Sequence, residues 1–212
     1  IANKEGAELS KVYMVGNVLI DNIRFLQQRM QRPAVMDQEH LEEGKYLLLT
    51  LNRKAIVNNI EEMKKLISTI DGVARKAGIK VLAPLRGKAL GFVLAFKAYQ
   101  DVADHQSGIM VVQPQGYLDF SYLAAHAMGV ITDSGNVAEE ATFNGVPCIT
   151  LNSYTEHLET VTVGTNELVA EDPEKLQLAM EKIAKGEWKK AGIPDRWDGR
   201  SAERIVQIIC GE

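Results

Sequence analysis

The stretch AMGVITDSGNVAEEA, Ala127 to Ala141, decides how the chain is read. An apolar run ends at Ile131 and gives way at once to Thr132, Asp133, Ser134, Gly135 and Asn136. Two adjacent carboxylates, Glu139 and Glu140, follow within about one helical turn. A short apolar strand, a turn of small polar residues and then an amphipathic segment form the strand-to-helix unit of an α/β fold.

Similar units lie on both sides. YLLLTL (Tyr46 to Leu51) is a continuous apolar run, as expected for a strand buried on both faces. Ile56, Ile60, Met63, Ile67 and Ile70 then mark one face of a long helix. IKVLAPL (Ile79 to Leu85) predicts the next strand and Lys88 to Val102 the next helix. GIMVVQP (Gly108 to Pro114) and the helix Tyr117 to Ala127 follow, then the strands GVIT (Gly129 to Thr132) and VPCITL (Val146 to Leu151). Near the start, KVYMV (Lys11 to Val15) reads as a short strand ahead of Leu19, Ile23, Leu26 and Met30 at helical spacing. Residues 31–44, with Pro33 and several charges, read as a surface connection. Two helices close the chain, one carrying Leu176, Ala179, Met180 and Ile183, the other Ala202, Ile205, Val206 and Ile209. Roughly six such units predict a doubly wound parallel sheet, Rossmann-like, in one domain over residues 1–212. Ligands in such folds bind at the carboxyl ends of the strands.

The totals narrow the function. The chain has 212 residues, 46% hydrophobic and 25% charged, with a net charge of −4, as in an ordinary globular domain. No Lys/Arg run or aromatic ladder is present, which argues against nucleic acid. No stretch approaches the roughly 20 apolar residues of a membrane span, and no signal peptide opens the chain. The opening IANKEG lacks a Met and reads as the start of a fragment. Cys148 and Cys210 sit in apolar segments and read as reduced core residues of a cytoplasmic protein.

Several turns could carry chemistry. At TDSGN the unpaired N–H groups of a first helical turn would form an anion site, with Gly135 admitting a phosphate to the backbone and Ser134 donating to it. Glu140, one turn on, could accept from sugar hydroxyls. The same residues also make an ordinary N-cap. VGNVLID (Val15 to Asp21) holds Gly16 and Asn17 at a second turn, without the spacing of a dinucleotide fingerprint. TLNRKAIVNN (Thr50 to Asn59) starts a helix with Asn52, Arg53 and Lys54, cations that a bound anion would relieve. YLDF (Tyr117 to Phe120) offers two aromatics for a nucleobase or for the core. TEHLET (Thr155 to Thr160) gathers Glu156, His157 and Glu159 in a polar loop. His40, His105 and His126 are scattered, so no protein-bound metal is expected.

In order, NKEG, VGNVLID, LLLTLNR, QGYLDFSYL, ITDSGNVAEEATFNGVPCITL, TEHLETVTVGTNELV and DGRSAERIV resemble the C-terminal half of the non-hydrolysing UDP-N-acetylglucosamine 2-epimerases. The resemblance implies a glycosyltransferase B-type architecture of two Rossmann-like domains, of which this chain is the second. An N-terminal partner domain would carry the acids that move the C2 proton, and the full-length protein would be a homodimer. It implies interconversion of UDP-N-acetylglucosamine and UDP-N-acetylmannosamine by elimination and re-addition of UDP, with no cofactor or metal. On matching motifs, Ser134, Gly135 and Asn136 would hold the diphosphate, Glu140 the ribose and Phe120 the uracil. Gly16 and Asn17 would also bind UDP, and Glu156 and His157 are further candidates for the site. Arg53 would be catalytic, together with Asn52, which stands where the family has His. The family's T-E-R-P-E reads TEHLE here, so His157 replaces an Arg and Leu158 a Pro. Its P-x-H segment has Arg86 in place of the His, and the Glu of its T-x-H-R-x-E-N is Ala55. Asn cannot shuttle a proton, so a non-catalytic or divergent UDP-sugar-binding module is one alternative. Half of a glycosyltransferase of the same architecture is another.

Overall fold

A computed structural model describes residues 6, 8–102 and 106–211. Asn3, Lys4 and Glu5 of NKEG, and His105, lie outside them. The chain divides into two compact units, residues 29–193 and a smaller unit of 1–28 with 194–212.

The larger unit begins with helix α2 (Ala34–Gln38); helix α1 (Val18–Leu26) belongs to the smaller one. Strand β1 (Tyr46–Thr50) leads to α3 (Lys54–Val57) and α4 (Ile60–Ala77), and β2 (Lys80–Ala83) to α5 (Gly87–Val102). Strand β3 (Ile109–Val111) precedes α6 (Tyr117–Ala125), and β4 (Gly129–Thr132) precedes α7 (Gly135–Phe143). Strand β5 (Cys148–Thr150), α8 (Glu159–Thr162), β6 (Asn166–Leu168) and α9 (Pro173–Ala184) complete the unit. The six strands are parallel, in the order β3-β2-β1-β4-β5-β6.

Alternation along the strands fills both faces. Leu47 and Leu49 point to one core with Ile131 and Ile149, covered by α4, α5 and α9. Tyr46 and Leu48 point to the other with Val130 and Cys148, covered by α2, α6 and α7. Every position of β1 up to Leu49 is therefore buried, which is why it reads as an unbroken apolar run.

Several expectations are corrected. KVYMV is no strand: Val12, Tyr13 and Met14 are exposed and follow a 3-10 turn at Leu9–Lys11. The sixth strand is NEL at Asn166–Leu168, whose Asn166 is fully buried and bonded to the hydroxyls of Thr150 and Thr160. A strand holding a buried Asn by side-chain bonds lacks the apolar run that announces one. Residues 31–44 are not merely a surface connection, since α2 buries Val35 and Met36 and Leu41 is buried after it. Both cysteines are free thiols, but only Cys148 is in the core; Cys210 is exposed on α10 (Ser201–Cys210). Burial pushes the Cys148 thiol up to about 12.

In the smaller unit, α1 packs against α10. Asp21 accepts from the N–H groups of Ser201 and Ala202, closing the start of α10. The described helices include none long and apolar enough to cross a membrane.

Candidate functional site

Strand order reverses between β1 and β4, and a doubly wound sheet opens a crevice at such a point. Side chains fasten the strand ends there. The hydroxyls of Thr50 and Thr132 lie 2.7 Å apart. Asp133 Oδ2 accepts from the backbone N–H of Asn52 at 2.7 Å and of Arg53 at 2.6 Å. Arg53 Nη1 donates to Asn152 Oδ1 at 2.6 Å, and its Nη2 donates to the Tyr154 hydroxyl. Asn152 donates in turn to the Asp133 carbonyl at 3.2 Å. Residues following β1, β4 and β5 thus form one hydrogen-bonded rim.

The start of α7 opens beside that rim. Ser134 is extended at the N-cap position, and no side chain caps the helix. The capping arrangement that the sequence also allowed is therefore not adopted: Asp133 serves the end of β1 instead. The Ser134 N–H donates to Thr132 Oγ1 at 3.0 Å. The N–H groups of Gly135, Asn136 and Val137 have no acceptor within the helix, because first-turn donors never do. A Cβ added at Gly135 would meet nothing within 4 Å. This open backbone borders a cavity of about 240 Å³, lined also by Arg53, Asn136, Glu139, Glu156 and His157. Bare N–H groups, the positive end of a helix dipole and a guanidinium suit an anion.

His157 closes one side. Its Nε2 lies 3.0 Å from Glu139 Oε1, and its Nδ1 lies 3.6 Å from Glu159 Oε1. Among the described residues, no group of three or more His, Cys, Asp or Glu side chains could hold a metal ion.

Other expected residues fall elsewhere. Glu140 does not line this cavity. It is 5% exposed, accepts from Ser121 Oγ at 3.4 Å, and so belongs to the seam between α6 and α7. Burial pushes its carboxyl up to about 7, against a lowering by the Ser121 hydrogen bond and with a smaller raising contribution from neighbouring Glu139. Tyr117, exposed at the start of α6, is raised by partial burial and then by Glu140. Phe120 packs against the α6–α7 core. Asn52 is exposed at the end of β1, contributing its backbone N–H to the rim. Gly16 and Asn17 lie in the smaller unit. There Asn17 caps α1 by accepting from Leu19 N–H at 2.9 Å. Gly16 has φ +103°, and a Cβ on it would stand 2.2 Å from the Arg196 carbonyl oxygen, so the backbone itself demands glycine.

Sequence reasoning missed Asn152 and Tyr154, and gave Asp133 and Glu139 no site role. Asn152 and Tyr154 follow β5 directly, so the carboxyl-end rule was the signal that pointed to them.

Residues 3–210 match the family model described as UDP-N-acetylglucosamine 2-epimerase. The chain belongs to this family. It is 32% identical, over 97% of its length, to the UDP-N-acetylglucosamine 2-epimerase of Methanocaldococcus jannaschii, covering 56% of that protein. The Methanococcus maripaludis enzyme of the same name is 31% identical, with 99% of this chain and 57% of that protein covered. Among solved structures, the M. jannaschii UDP-GlcNAc 2-epimerase in complex with UDP-GlcNAc and UDP superposes with a TM-score of 0.80 at 31% identity. That match covers 99% of this chain and 57% of the other. The Neisseria meningitidis UDP-GlcNAc 2-epimerase gives a TM-score of 0.78 at 22% identity and shares the fold, over 99% of this chain and 58% of that one. The chain spans a little over half the length of the family members it matches. Its α/β sheet is the family's Rossmann-like, glycosyltransferase B-like architecture.

Proposed function

We propose that this chain is the UDP-gripping domain of a cytoplasmic UDP-N-acetylglucosamine 2-epimerase. The observation that carries the proposal is the uncapped start of α7, with Gly135 facing open space beside Arg53. The first-turn N–H groups of Gly135 and Asn136 and the guanidinium of Arg53 hold the diphosphate, with Ser134 at the turn. Glu140 takes the ribose hydroxyls and Phe120 stands beside the uracil. Glu156 and His157 edge the sugar side.

The reaction is elimination of UDP from UDP-N-acetylglucosamine to a 2-acetamidoglucal, then re-addition of UDP on the opposite face. Donors fixed in the fold stabilise the charge that gathers on the departing diphosphate without reorganising during the step. The groups that move the C2 proton belong to an N-terminal domain facing this one, in a homodimer of the whole protein.

The family membership and the solved complex with UDP-GlcNAc and UDP support this function. A second reading, a domain that binds UDP-sugar within a protein of lost or altered chemistry, is favoured by Asn52, whose side chain cannot replace a proton-shuttling His.

Calorimetric titration of the chain with UDP tests the binding claim. Saturable binding is expected, abolished by Gly135→Val, which fills the phosphate approach, and weakened by Glu140→Ala. No binding by the folded chain would overturn it. Epimerase turnover by the full-length protein with Asn52 in place would remove the second reading.

A further inference from the structure

Neutral groups hold the Arg53 guanidinium. Its Nη1 donates to Asn152 Oδ1 at 2.6 Å, and its Nη2 donates to the Tyr154 hydroxyl. The Tyr154 ring centre also lies 5.0 Å from the guanidinium carbon, within reach of a cation–π contact. Asn152 is itself oriented: its amide nitrogen donates to the Asp133 carbonyl at 3.2 Å, which leaves its oxygen for Arg53. Asp133 takes the backbone N–H of Arg53 rather than the guanidinium. Among the described residues, no carboxylate pairs with that guanidinium. Arg53, Asn152 and Tyr154 all line the cavity that Gly135 borders.

We propose that Tyr154 is a positioning residue for anion binding: its hydroxyl and ring, together with Asn152, fix the Arg53 guanidinium at the cavity and leave its charge unneutralised. The proposal rests on the diphosphate site at the start of α7. A guanidinium carries five N–H groups. One on each Nη is engaged here, which leaves three to donate to a ligand. A loose arginine side chain loses rotamer freedom when a ligand orders it, and that loss weakens binding. A clamp already formed in the folded chain removes this loss from the binding step. A carboxylate in place of either acceptor would hold the guanidinium as firmly, but it would cancel the charge that draws the anion. A hydroxyl and an amide oxygen hold it without that cancellation.

Tyr154 suits the role because little else depends on it. It is 57% exposed on the loop between β5 and α8 and belongs to neither core. Replacing it disturbs the clamp and leaves the sheet in place.

The test is a double-mutant cycle on UDP affinity, measured by calorimetry for the wild type, Tyr154→Phe, Arg53→Met and the double variant. UDP is the probe because its nucleoside contacts support binding when Arg53 is replaced. Tyr154→Phe keeps the ring and removes the hydroxyl. It is expected to weaken binding by about fivefold with Arg53 present, the size of one net hydrogen bond. In the Arg53→Met background it is expected to change affinity little. Tyr154→Leu removes the ring as well and should lose about a further threefold, as an exposed cation–π contact would. A second readout is ¹⁵N relaxation of the Arg53 Nε in the ligand-free chain. Its order parameter is expected to fall in Tyr154→Phe, while the Arg53 backbone amide, held by Asp133, stays as rigid as before. This readout decides alone if Arg53→Met binds too weakly to measure.

Changes in affinity that are equal in the two backgrounds, zero included, overturn the positioning role. So does an Nε order parameter that Tyr154→Phe leaves unmoved. Tighter binding by Tyr154→Phe overturns it too, since the hydroxyl would then be competing with the anion for the guanidinium. In each of these cases the diphosphate site stands. If the folded wild type binds no UDP, the positioning role and the proposed function fall together.

Discussion

Asp133 Oδ2 lies 2.6 Å from the backbone nitrogen of Arg53, an acceptor on the β4 turn holding a donor on the β1 turn. The same oxygen also takes the Asn52 N–H. Asp133 is 7% exposed, and losing its carboxylate leaves these two part-buried donors without their acceptor. Asp133→Ala is expected to cost about 2–4 kcal/mol of stability in urea denaturation. Asp133→Asn keeps an acceptor oxygen for both donors and should cost less than half as much. Equal losses would show that geometry at this oxygen is not what matters.

Gly135 separates binding from folding. A Cβ there meets nothing within 4 Å, and its φ lies outside the left-handed region that requires glycine. Gly135→Ala should leave stability unchanged or raise it by up to about 1 kcal/mol, since alanine is the better helix former. The methyl group would stand where the phosphate approaches, and UDP affinity should fall by about tenfold, equivalent to about 1.4 kcal/mol. Unchanged affinity would place the phosphate away from this turn.

Glu140 makes stability depend on pH in a definite direction. Its carboxyl rises from an ordinary 4.5 to about 7 in the folded protein, mainly through burial. Below the lower value both states are protonated. Between the two, the folded state keeps a proton that the unfolded state has lost, so stability declines as pH rises through this window. The decline is at most about 3 kcal/mol for such a shift. Glu140→Gln should remove that slope and be the more stable protein at pH 8, while losing UDP affinity. Denaturation of both proteins at pH 5 and pH 8 checks the sign; a wild type that gains stability relative to the variant on raising the pH would contradict it.

Asn52 is exposed, and only its backbone nitrogen serves the rim. Asn52→His should therefore change stability by less than about 0.5 kcal/mol, the usual range for surface positions. In the full-length protein the same change should raise epimerase turnover if proton transfer at this position limits the reaction. Turnover unmoved by the change would put the proton transfer on other residues.

The sequence and the structure agree where burial alone decides. Tyr46 to Leu49 and Gly129 to Thr132 are strands buried throughout, and each appears as an apolar run. Agreement fails where side-chain bonds or chain neighbours decide. Asn166 sits at zero exposure because Thr150 and Thr160 satisfy its amide, a pairing that no local window contains. KVYMV has the residues of a strand, yet Val12, Tyr13 and Met14 are left exposed without one. The site divides the same way. Gly135, Asn136 and Arg53 were legible because a strand-to-helix turn is a local pattern. The Arg53–Asn152–Tyr154 chain spans about a hundred residues, and the Glu139–His157 pair joins a helix to a loop beyond the next strand. Composition and spacing carry no record of such contacts.

The most direct test of the central claim is an amide ¹H–¹⁵N correlation spectrum of the chain titrated with UDP. The predicted result is that the Gly135 and Asn136 amides move most, because the diphosphate accepts from them. Saturating shifts that leave both amides in place would contradict the diphosphate site at the start of α7.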